Sequence, residues 1–393
     1  MSFCLPIGLR NVIVSPKMEL KIITNTVDLK SIEAGWCNLL RDSDNGRIHQ
    51  SYDWFWAGYQ TFHQNDQLYV LTLIDVKGNL CGVAPLVITS GVYRGIKVKK
   101  IGFVINDQNP ACEFILSEGL EEACLKIFLE HLASFKEWEF VDLRKVDIER
   151  PTGILLQKLL TESGQAFGTK DNIESPYFTI DTGWEEFWKN RSQKFRKAMR
   201  NKLNRAKKHE GLVVEKIPVR SGNAPELADM LRISTNSWKK TIGNDLSTKK
   251  YNWEFYKKIC DLFGPEGVVC IWFLKLNGVA VAFEFHLQYN KIVYPIRADF
   301  DEGYKDISPG SILEYEIIQS LFSDRDVLEY NSCGHTYDYL MNWTDKTRKH
   351  QNFEIFDKSF KMAMLYNFEY NILVMLRGTK LYSFITKMKA RHQ

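Results

Sequence analysis

The sequence lacks several features that would assign it to a specialised class of protein. Its 393 residues carry a net charge of only +4, so overall charge does not indicate a nucleic-acid partner. None of its eight cysteines forms a CxxC pair or a zinc-like spacing, which indicates buried thiols in a reducing compartment. No apolar run approaches the roughly 18 residues of a membrane span, and residues 1–17 lack the pattern of a signal peptide. We therefore expect a cytoplasmic protein without a transmembrane segment.

A long-range repeat in the sequence indicates two similar domains. Strand-turn-strand patterns occur at 68–88 and 268–287, and Asn277-Gly278 in the second is a strong hairpin signal. Each pattern is followed by a short apolar strand, a helix and a further strand, at 111–116, 119–135 and 139–146 in the first copy and at 291–298, 309–322 and 326–333 in the second. This order predicts an α/β (α+β) fold of two tandem domains, each a mixed sheet flanked by helices. Chance repetition within an α/β chain is the alternative.

The predicted domains cover 19–180 and 181–352, with an N-terminal extension over 1–18 and a C-terminal extension over 353–393. Just after the first boundary, apolar residues recur at helical spacing across 184–211, which predicts one long amphipathic helix. Its other face is rich in lysine and arginine. This face is either a solvated surface or an electropositive wall for a phosphorylated cofactor, a sugar nucleotide or RNA.

The stretch "DISPGSILEYEI" (306–317) predicts a helix with an unusual first turn. Ser308 is the expected N-cap and Pro309 the first helical residue. Gly310 is less expected, because glycine costs roughly 1 kcal/mol relative to alanine inside a helix. A glycine there would let an anion approach the first free amides of the helix, which belong to Gly310, Ser311 and Ile312. A plain capped helix without a ligand is the alternative.

The strand "VAVAFEFHL" (279–287) alternates apolar residues with Ala280, Ala282, Glu284 and His286. Two small residues followed by two ionisable ones suit the floor of a cleft in which a substrate meets a base, and an exposed sheet face is the alternative. In the next strand, Pro295 cannot donate a hydrogen bond, so that strand is interrupted or lies at an edge. The last strand is followed by a polar and aromatic cluster, where open α/β sheets bind ligands. Its members are Gly334, His335, Tyr337, Asp338 and Tyr339.

These motifs resemble those of the GNAT acyltransferases, whose phosphate loop reads Gln/Arg-x-x-Gly-x-Gly/Ala. "KDISPG" lies in that register, with Lys305, Ser308 and Gly310 at the three marked positions. Over roughly 30–350 the chain is similar to the CelD-like and FemAB-like branch, which carries two such domains in tandem. The loose motifs that carry this resemblance occur in the expected order and are "DWFWAGYQTF" (53–62), "GVAPLVI" (82–88), "ESPYFTI" (174–180), "AVAFEFH" (280–286), "SPGSIL" (308–313) and Trp343. That branch usually pairs its last tyrosine with a lysine, whereas Leu340 follows Tyr339 here.

The resemblance implies transfer of an acyl group, in the simplest case acetyl, from acetyl-CoA or another acyl-CoA to a small-molecule amine. It points to an amino sugar of a cell-envelope polysaccharide as the acceptor, and to the envelope-polysaccharide synthesis machinery as a partner. Two other functions stay open. One is a FemAB-like transferase that uses aminoacyl-tRNA, and the other is a non-catalytic accessory protein in polysaccharide synthesis.

The resemblance also implies a set of site residues in the second domain. The pantetheine arm would run along 293–298, and the predicted cofactor-binding residues are Arg297, Lys305, Ser308, Gly310, Ser311 and Ile312. The equivalent helix of the first domain begins in the acidic stretch 117–122, which would repel phosphate. Glu284 or His286 is the predicted base. Tyr339 or Tyr337 is the predicted acid for the departing thiolate.

Overall fold

One mixed sheet of thirteen strands runs through the computed structural model, which describes residues 17–41, 46–135 and 137–376. The strands are β1 (Met18–Ile23), β2 (Gln67–Asp75), β3 (Leu80–Tyr93), β4 (Ile96–Phe103), β5 (Ile115–Leu116), β6 (Phe140–Asp147), β7 (Phe167–Thr179), β8 (Leu212–Pro218), β9 (Val269–Leu276), β10 (Val279–Tyr289), β11 (Ile292–Phe300), β12 (Glu329–Asn331) and β13 (Thr347–Phe356). Their order is β1-β2-β3-β4-β6-β13-β7-β12-β11-β10-β9-β8, and β5 pairs with β3. The pairs β4/β6 and β11/β12 are parallel and the others antiparallel, which confirms the predicted mixed sheet.

Helices cover both faces of this sheet. They are α1 (Thr26–Ser31), α2 (Glu33–Arg41), α3 (Tyr52–Phe62), α4 (Glu121–Leu132), α5 (Pro151–Ser163), α6 (Trp184–Lys189), α7 (Gln193–Ala206), α8 (Glu226–Thr235), α9 (Lys250–Phe263), α10 (Pro309–Leu321), α11 (Asp338–Met341), α12 (Phe360–Asn367) and α13 (Leu373–Met375). In the second half, α8 and α9 bury one apolar core against β9 and β10, and α7 and α10 bury another on the opposite face. None of the described helices is long and apolar enough to cross a bilayer.

The predicted repeat is present, with one correction in the first half. Both hairpins form, as β2/β3 and β9/β10, and the positive φ angles of Asn277 and Gly278 (50° and 82°) match the predicted tight turn. The strand expected at 111–116 is wrong in extent, because only Ile115–Leu116 pair with β3. The sequence reading missed β4, because apolar and polar residues alternate only in part of its sequence, "IKVKKIGF".

The helix predicted over 184–211 is two helices. The segment α6 ends at Lys189, and the side chain of Ser192 accepts a hydrogen bond from the Phe195 amide as the N-cap of α7. A capping serine starts a new helix there, although the apolar stripe continues across the break. Residues 207–211 lie outside both helices.

Strands from the two halves interleave at the centre of the sheet. The strand β13, near the C-terminal end of the described chain, lies between β6 and β7 and is antiparallel to both. The strand β7 pairs with β13 along its first part and with β12 at residues 177–179. The domain boundaries at 180 and 352 stay a prediction. The boundary at 352 falls within β13. Residues 1–16, most of the predicted N-terminal extension, lie outside the described residues, as do residues 377–393.

Candidate active site

The strand β10 carries two ionisable side chains into the interior of the second half. Its register against β9 shifts between Ala280 and Ala282, so the strict alternation predicted for this strand is wrong. All residues from 280 to 287 are buried because helices cover both faces of the sheet. The strand is therefore neither an open cleft floor nor an exposed face.

Glu284 and His286 form a buried pair on this strand. The Nε2 atom of His286 lies 2.8 Å from Oε2 of Glu284, and the two residues are 1% and 5% exposed. Burial raises the pKa of Glu284 to about 8 and lowers the pKa of His286 to about 3. An imidazole with so low a pKa is a weak base at neutral pH, so Glu284 is the better suited of the two predicted bases.

A second buried carboxyl group lies close by on α10. Burial raises the pKa of Glu314 to about 8, and the neighbouring carboxyl of Glu284 adds to this rise. A hydrogen bond with the Trp343 side chain and the charge of Lys202 lower the pKa of Glu314. Two carboxyl groups in one buried site cannot both ionise without mutual repulsion, so they titrate as a pair.

Three tyrosines differ in their relation to this carboxyl pair. Tyr330 on β12 is buried, with its ring centroid 6.3 Å from that of His286. Desolvation, together with the carboxyls of Glu314 and Glu284, raises the pKa of Tyr339, so its hydroxyl stays protonated at neutral pH. Tyr337 stacks on Tyr339 with ring centroids 5.8 Å apart and is half exposed. Of the two predicted acids, Tyr339 is the one near the carboxyls.

A cleft of about 300 Å³ opens between α7, α10 and α11. Its walls include Lys194, Phe195, Lys202, Ser311, Glu314 and Tyr339. The Nζ atom of Lys202 donates a hydrogen bond of 2.8 Å to Oγ of Ser311. Glu284 and His286 do not line the cleft, so Glu314 is the carboxyl group that a ligand in it meets directly.

The first turn of α10 differs from the predicted cap in its details. Pro309 begins the helix, but Ser308 has a left-handed backbone (φ 57°) and its side chain makes no capping hydrogen bond. The Ile312 amide donates to the Ser308 carbonyl at 3.2 Å, which leaves Gly310 and Ser311 as the remaining predicted donors. A Cβ atom at Gly310 would lie 3.4 Å from Cδ1 of Phe300, an ordinary contact, so packing does not require glycine.

The strand β11 diverges from its parallel neighbour after two residue pairs. It pairs with β12 only at Ile292 and Val293, and its register against β10 shifts between Pro295 and Arg297. The predicted interruption at Pro295 takes the form of this register shift, while β11 itself continues to Phe300. The alternative of an edge strand is wrong because β11 lies between β10 and β12. The splayed edge offers main-chain groups to an extended ligand.

Side chains already engage part of β11. The carbonyl oxygens of Ile296 and Ala298 accept hydrogen bonds from Tyr256 (3.2 Å) and Lys239 (2.6 Å). A ligand that pairs with these two carbonyls has to displace those side chains. Arg297 is 7% exposed and donates to Asp299 at 2.8 Å and to the Asn244 carbonyl at 2.9 Å. Its role in cofactor binding stays a prediction, as does that of Lys305, which is exposed in a 3₁₀ helix (Glu302–Ile307).

Residues 193–340 match the family model of the acetyltransferase (GNAT) domain. This span includes the carboxyl pair, the first turn of α10 and Tyr339. Residues 193–340 are therefore similar to the GNAT acetyltransferases. The prediction of a GNAT-type protein is therefore confirmed, and with it the acyltransferase family.

Two solved structures resemble the chain over most of its length. A conserved protein of unknown function from Bacteroides thetaiotaomicron shares 12% identity with a TM-score of 0.52, covering 86% of this chain and 100% of its own. FemX shares 12% identity with a TM-score of 0.53, covering 85% and 96%. At this identity the likeness concerns the fold, which is the predicted tandem GNAT-like arrangement. By sequence, no curated protein that was compared matches the chain significantly.

The sequence reading missed three polar residues around the site, namely Lys239, Glu314 and Tyr330, whereas Lys202 belongs to the basic face predicted for the helix over 184–211. Glu314 stands in the apolar run "ILEYEII", but glutamate is rarely buried and the helical pattern alone could not mark it. Lys239 comes from a 3₁₀ turn (Trp238–Lys240) that is distant in sequence, and its charge lowers the pKa of Glu284. Burial lowers the pKa of Lys239 itself, and Asp299 opposes this effect.

Proposed function

We propose that the protein is an N-acyltransferase that moves an acyl group, in the simplest case acetyl, from coenzyme A to an amine. The observation that carries this proposal is the buried pair of carboxyls, Glu284 and Glu314, beside Tyr339 at the cleft. An amine is protonated in neutral water and must lose a proton before it can attack a carbonyl. A carboxyl group whose pKa is raised to about 8 is a much stronger base than an exposed one.

The site residues divide this chemistry among them. Glu314 faces the cleft and, in its ionised form, takes the proton from the acceptor ammonium, so we expect turnover to rise as the pH approaches the raised pKa of about 8. Burial raises the pKa of Glu314, and Glu284, which contacts His286, raises it further by charge repulsion. Tyr339 keeps its proton at neutral pH and donates it to the departing thiolate. Binding both substrates in one cleft supplies much of the remaining rate enhancement, because it fixes their relative orientation.

The donor-binding residues of this proposal lie at the start of α10. The acyl-CoA donor carries an activated thioester and several phosphate oxygens. The amides of Gly310 and Ser311, at the positive end of the helix dipole, suit such oxygens. Lys202, which donates to Ser311, adds a positive charge there. The choice of an amino sugar of a cell-envelope polysaccharide as acceptor rests on the CelD-like resemblance alone.

Calorimetric titration with acetyl-CoA and longer acyl-CoAs tests the proposal. We expect saturable binding that Gly310→Glu abolishes and Gly310→Ala weakens only slightly, because the glutamate repels phosphate while the alanine Cβ makes an ordinary contact. Gly183→Glu at the start of α6 is the matched control, since its Cβ meets nothing within 4 Å and it lies outside the site. Absence of binding to every acyl-CoA would reject the proposal and leave the aminoacyl-tRNA donor and the accessory role.

A second candidate function is transfer from aminoacyl-tRNA, favoured by the outer face of α7. Lys194, Lys197, Arg200 and Arg205 are exposed there, and none of them forms a salt bridge within the described part of the chain. Lys194 also lines the cleft. This candidate predicts tRNA binding that weakens steeply with salt and is lost in a Lys197→Glu/Arg200→Glu variant. Salt-independent or absent binding would exclude it.

A further inference from the structure

The splayed edge of β11 is occupied by side chains of the protein itself. This edge is the side of β11 that faces β12, beyond the two residue pairs that join the strands. Two carbonyl oxygens in this stretch accept hydrogen bonds, that of Ile296 from the Tyr256 hydroxyl at 3.2 Å and that of Ala298 from Nζ of Lys239 at 2.6 Å. A ligand that pairs with these carbonyls therefore competes with two side chains.

The main-chain groups of Ala298 point to the splayed edge. The Asp301 amide donates to the carbonyl of Val281, on β10, at 2.9 Å. Successive residues of a strand turn their main-chain groups to opposite sides, and Ala298 lies three residues before Asp301. The Ala298 carbonyl therefore faces away from β10. The Nζ atom of Lys239, which donates to it, lies on the side where an extended ligand would pair with β11.

Lys239 belongs to a short loop between α8 and α9. In this loop, residues 238–244, the side chains of Trp238 and Ile242 are directed to solvent, with the residues 47% and 61% exposed. The Asn244 amide donates to the Lys239 carbonyl at 2.8 Å, which closes the loop on itself. Two of its groups hydrogen-bond to β11, namely Nζ of Lys239 and the Asn244 carbonyl. A closed loop with exposed apolar side chains can move as a unit at little cost in free energy.

Withdrawal of Lys239 would leave no buried carboxylate without a partner. The Nζ atom of Lys239 lies 2.5 Å from Oδ1 of Asp299, whose side chain is fully buried. Arg297 donates to the same carboxylate at 2.8 Å and keeps it neutralised when the lysine leaves. The side chain of Lys239 is already 20% exposed, and burial lowers its pKa, so its charged form gains from a move into water.

We propose that Lys239 is a displaceable plug that closes the splayed edge of β11 until the acyl donor binds. In the free protein its ammonium occupies the Ala298 carbonyl. An amide N–H of the pantetheine arm takes that place in the complex, and the loop 238–244 moves outward with Lys239. The apparent affinity for the donor is then reduced by the fraction of molecules in which the plug is closed. This inference rests on the proposed use of acyl-CoA as donor.

Calorimetric titration of acetyl-CoA into Lys239→Met tests the plug. Methionine keeps an apolar stem and removes the ammonium, so the Ala298 carbonyl is free before the donor arrives. We expect the dissociation constant to fall by about tenfold, the equivalent of one net hydrogen bond. Lys240→Met is the matched control, because it removes the same charge at the next residue, whose side chain is 49% exposed, and it should bind like the wild type. Thermal unfolding checks that both variants are folded.

Amine labelling of the wild-type chain follows the same movement without a substitution. A limiting dose of acetic anhydride acetylates accessible lysines, and peptide mass spectrometry measures each site separately. The ligand is desulfo-coenzyme A, which lacks the reactive thiol and carries no acyl group. We expect saturating ligand to raise the labelling of Lys239 several-fold and to leave that of Lys240 unchanged.

The outcomes distinguish failure of the plug from failure of the proposed function. Weaker binding of acetyl-CoA to Lys239→Met would make Lys239 a residue that holds the donor. Unchanged affinity, or labelling of Lys239 that the ligand does not raise, would show that the lysine stays in place. Each of these results overturns the plug while acyl-CoA binding stands. If neither the wild type nor Lys239→Met binds acetyl-CoA, the proposed function fails and the plug fails with it.

Discussion

In the second half, β11 runs beside β10 for its whole length and is followed after one short turn by α10. In the first half, two strands share the equivalent position beside β3. The strand β4 pairs with residues 86–93 and β5 with residues 82 and 83, and the chain between them, 104–114, leaves the sheet. The same order of elements therefore gives an open splay in one half and an interrupted strand in the other.

The two halves also differ in the chemistry of the equivalent helix. Neither helix has a side-chain cap, but α4 has Glu121 and Glu122 in its first turn, whereas α10 begins with Pro309 and Gly310 and has Lys202 close by. Buried residues of β3 facing the core are apolar, whereas β10 buries a glutamate and a histidine. Duplicated folds can thus keep their architecture while one copy carries the site and the other supports it.

The first half does contribute to the structure of the second. Trp54 of α3 packs edge-on against Phe255 of α9, with ring centroids 5.3 Å apart. Arg47 contacts Glu329 across the junction at 3.3 Å, and Arg348 binds the same carboxylate through two hydrogen bonds. Through Arg47, the first half therefore helps to hold β12, the strand that precedes Tyr339.

The largest expected effect is on turnover when the carboxyl facing the cleft is neutralised. Glu314→Gln should lower kcat by about 100-fold or more, because the amide cannot accept the proton of the acceptor. Glu121→Gln, at the start of the equivalent first-half helix, should leave kcat unchanged. Thiol release from acetyl-CoA in the presence of amine acceptors measures both. Equal losses in the two variants would contradict the assignment of the chemistry to the second half.

The next effect concerns the junction between the halves. Arg348→Ala removes the two hydrogen bonds that Arg348 donates to the buried carboxylate of Glu329 and leaves Arg47, at 3.3 Å, as its weaker remaining partner, so we expect the free energy of unfolding to fall by about 2 kcal/mol. Arg144→Ala, which removes a partly exposed partner of Asp142, should have a smaller effect because Lys100 still neutralises that carboxylate. Urea unfolding measures the two variants. A stable Arg348→Ala protein would show that the junction does not depend on this ion pair.

A pH-dependent effect on stability should follow from the raised pKa of Glu314. In the unfolded chain this carboxyl loses its proton near pH 4.5, whereas in the folded chain it keeps it up to about pH 8. Stability is therefore lost as pH rises between these values, and Glu314→Gln removes that loss. We expect the variant to gain about 3–4 kcal/mol relative to the wild type between pH 5 and pH 8. A difference that stays constant over this range would refute the raised pKa.

The smallest effect separates the two candidate acids. Tyr339→Phe should lower kcat by about tenfold, because it removes the hydroxyl next to the carboxyl pair. Tyr337→Phe should change kcat by less than about twofold, since Tyr337 does not line the cleft. If Tyr337→Phe lost more activity than Tyr339→Phe, the role of the acid would belong to Tyr337.

Local signals accounted for most of what the sequence predicted correctly. Asn277-Gly278 specified a hairpin, and Pro295 specified an interruption, because both effects act within a few residues. The insertion of β13 between β6 and β7 could not be predicted, since strand pairing over some 200 residues leaves no local pattern. Of the two carboxyl groups in the pair, the sequence predicted one. Glu284 stood out on a strand of small and apolar residues, whereas Glu314 had the appearance of an ordinary helical glutamate.

We propose that only the second half of the protein carries a donor site. Native mass spectrometry of the chain with acetyl-CoA counts the bound ligands directly. We predict one acetyl-CoA per chain in the wild type and none in Gly310→Glu. Two bound molecules per chain, or one that persists in Gly310→Glu, would contradict a single donor site at the start of α10.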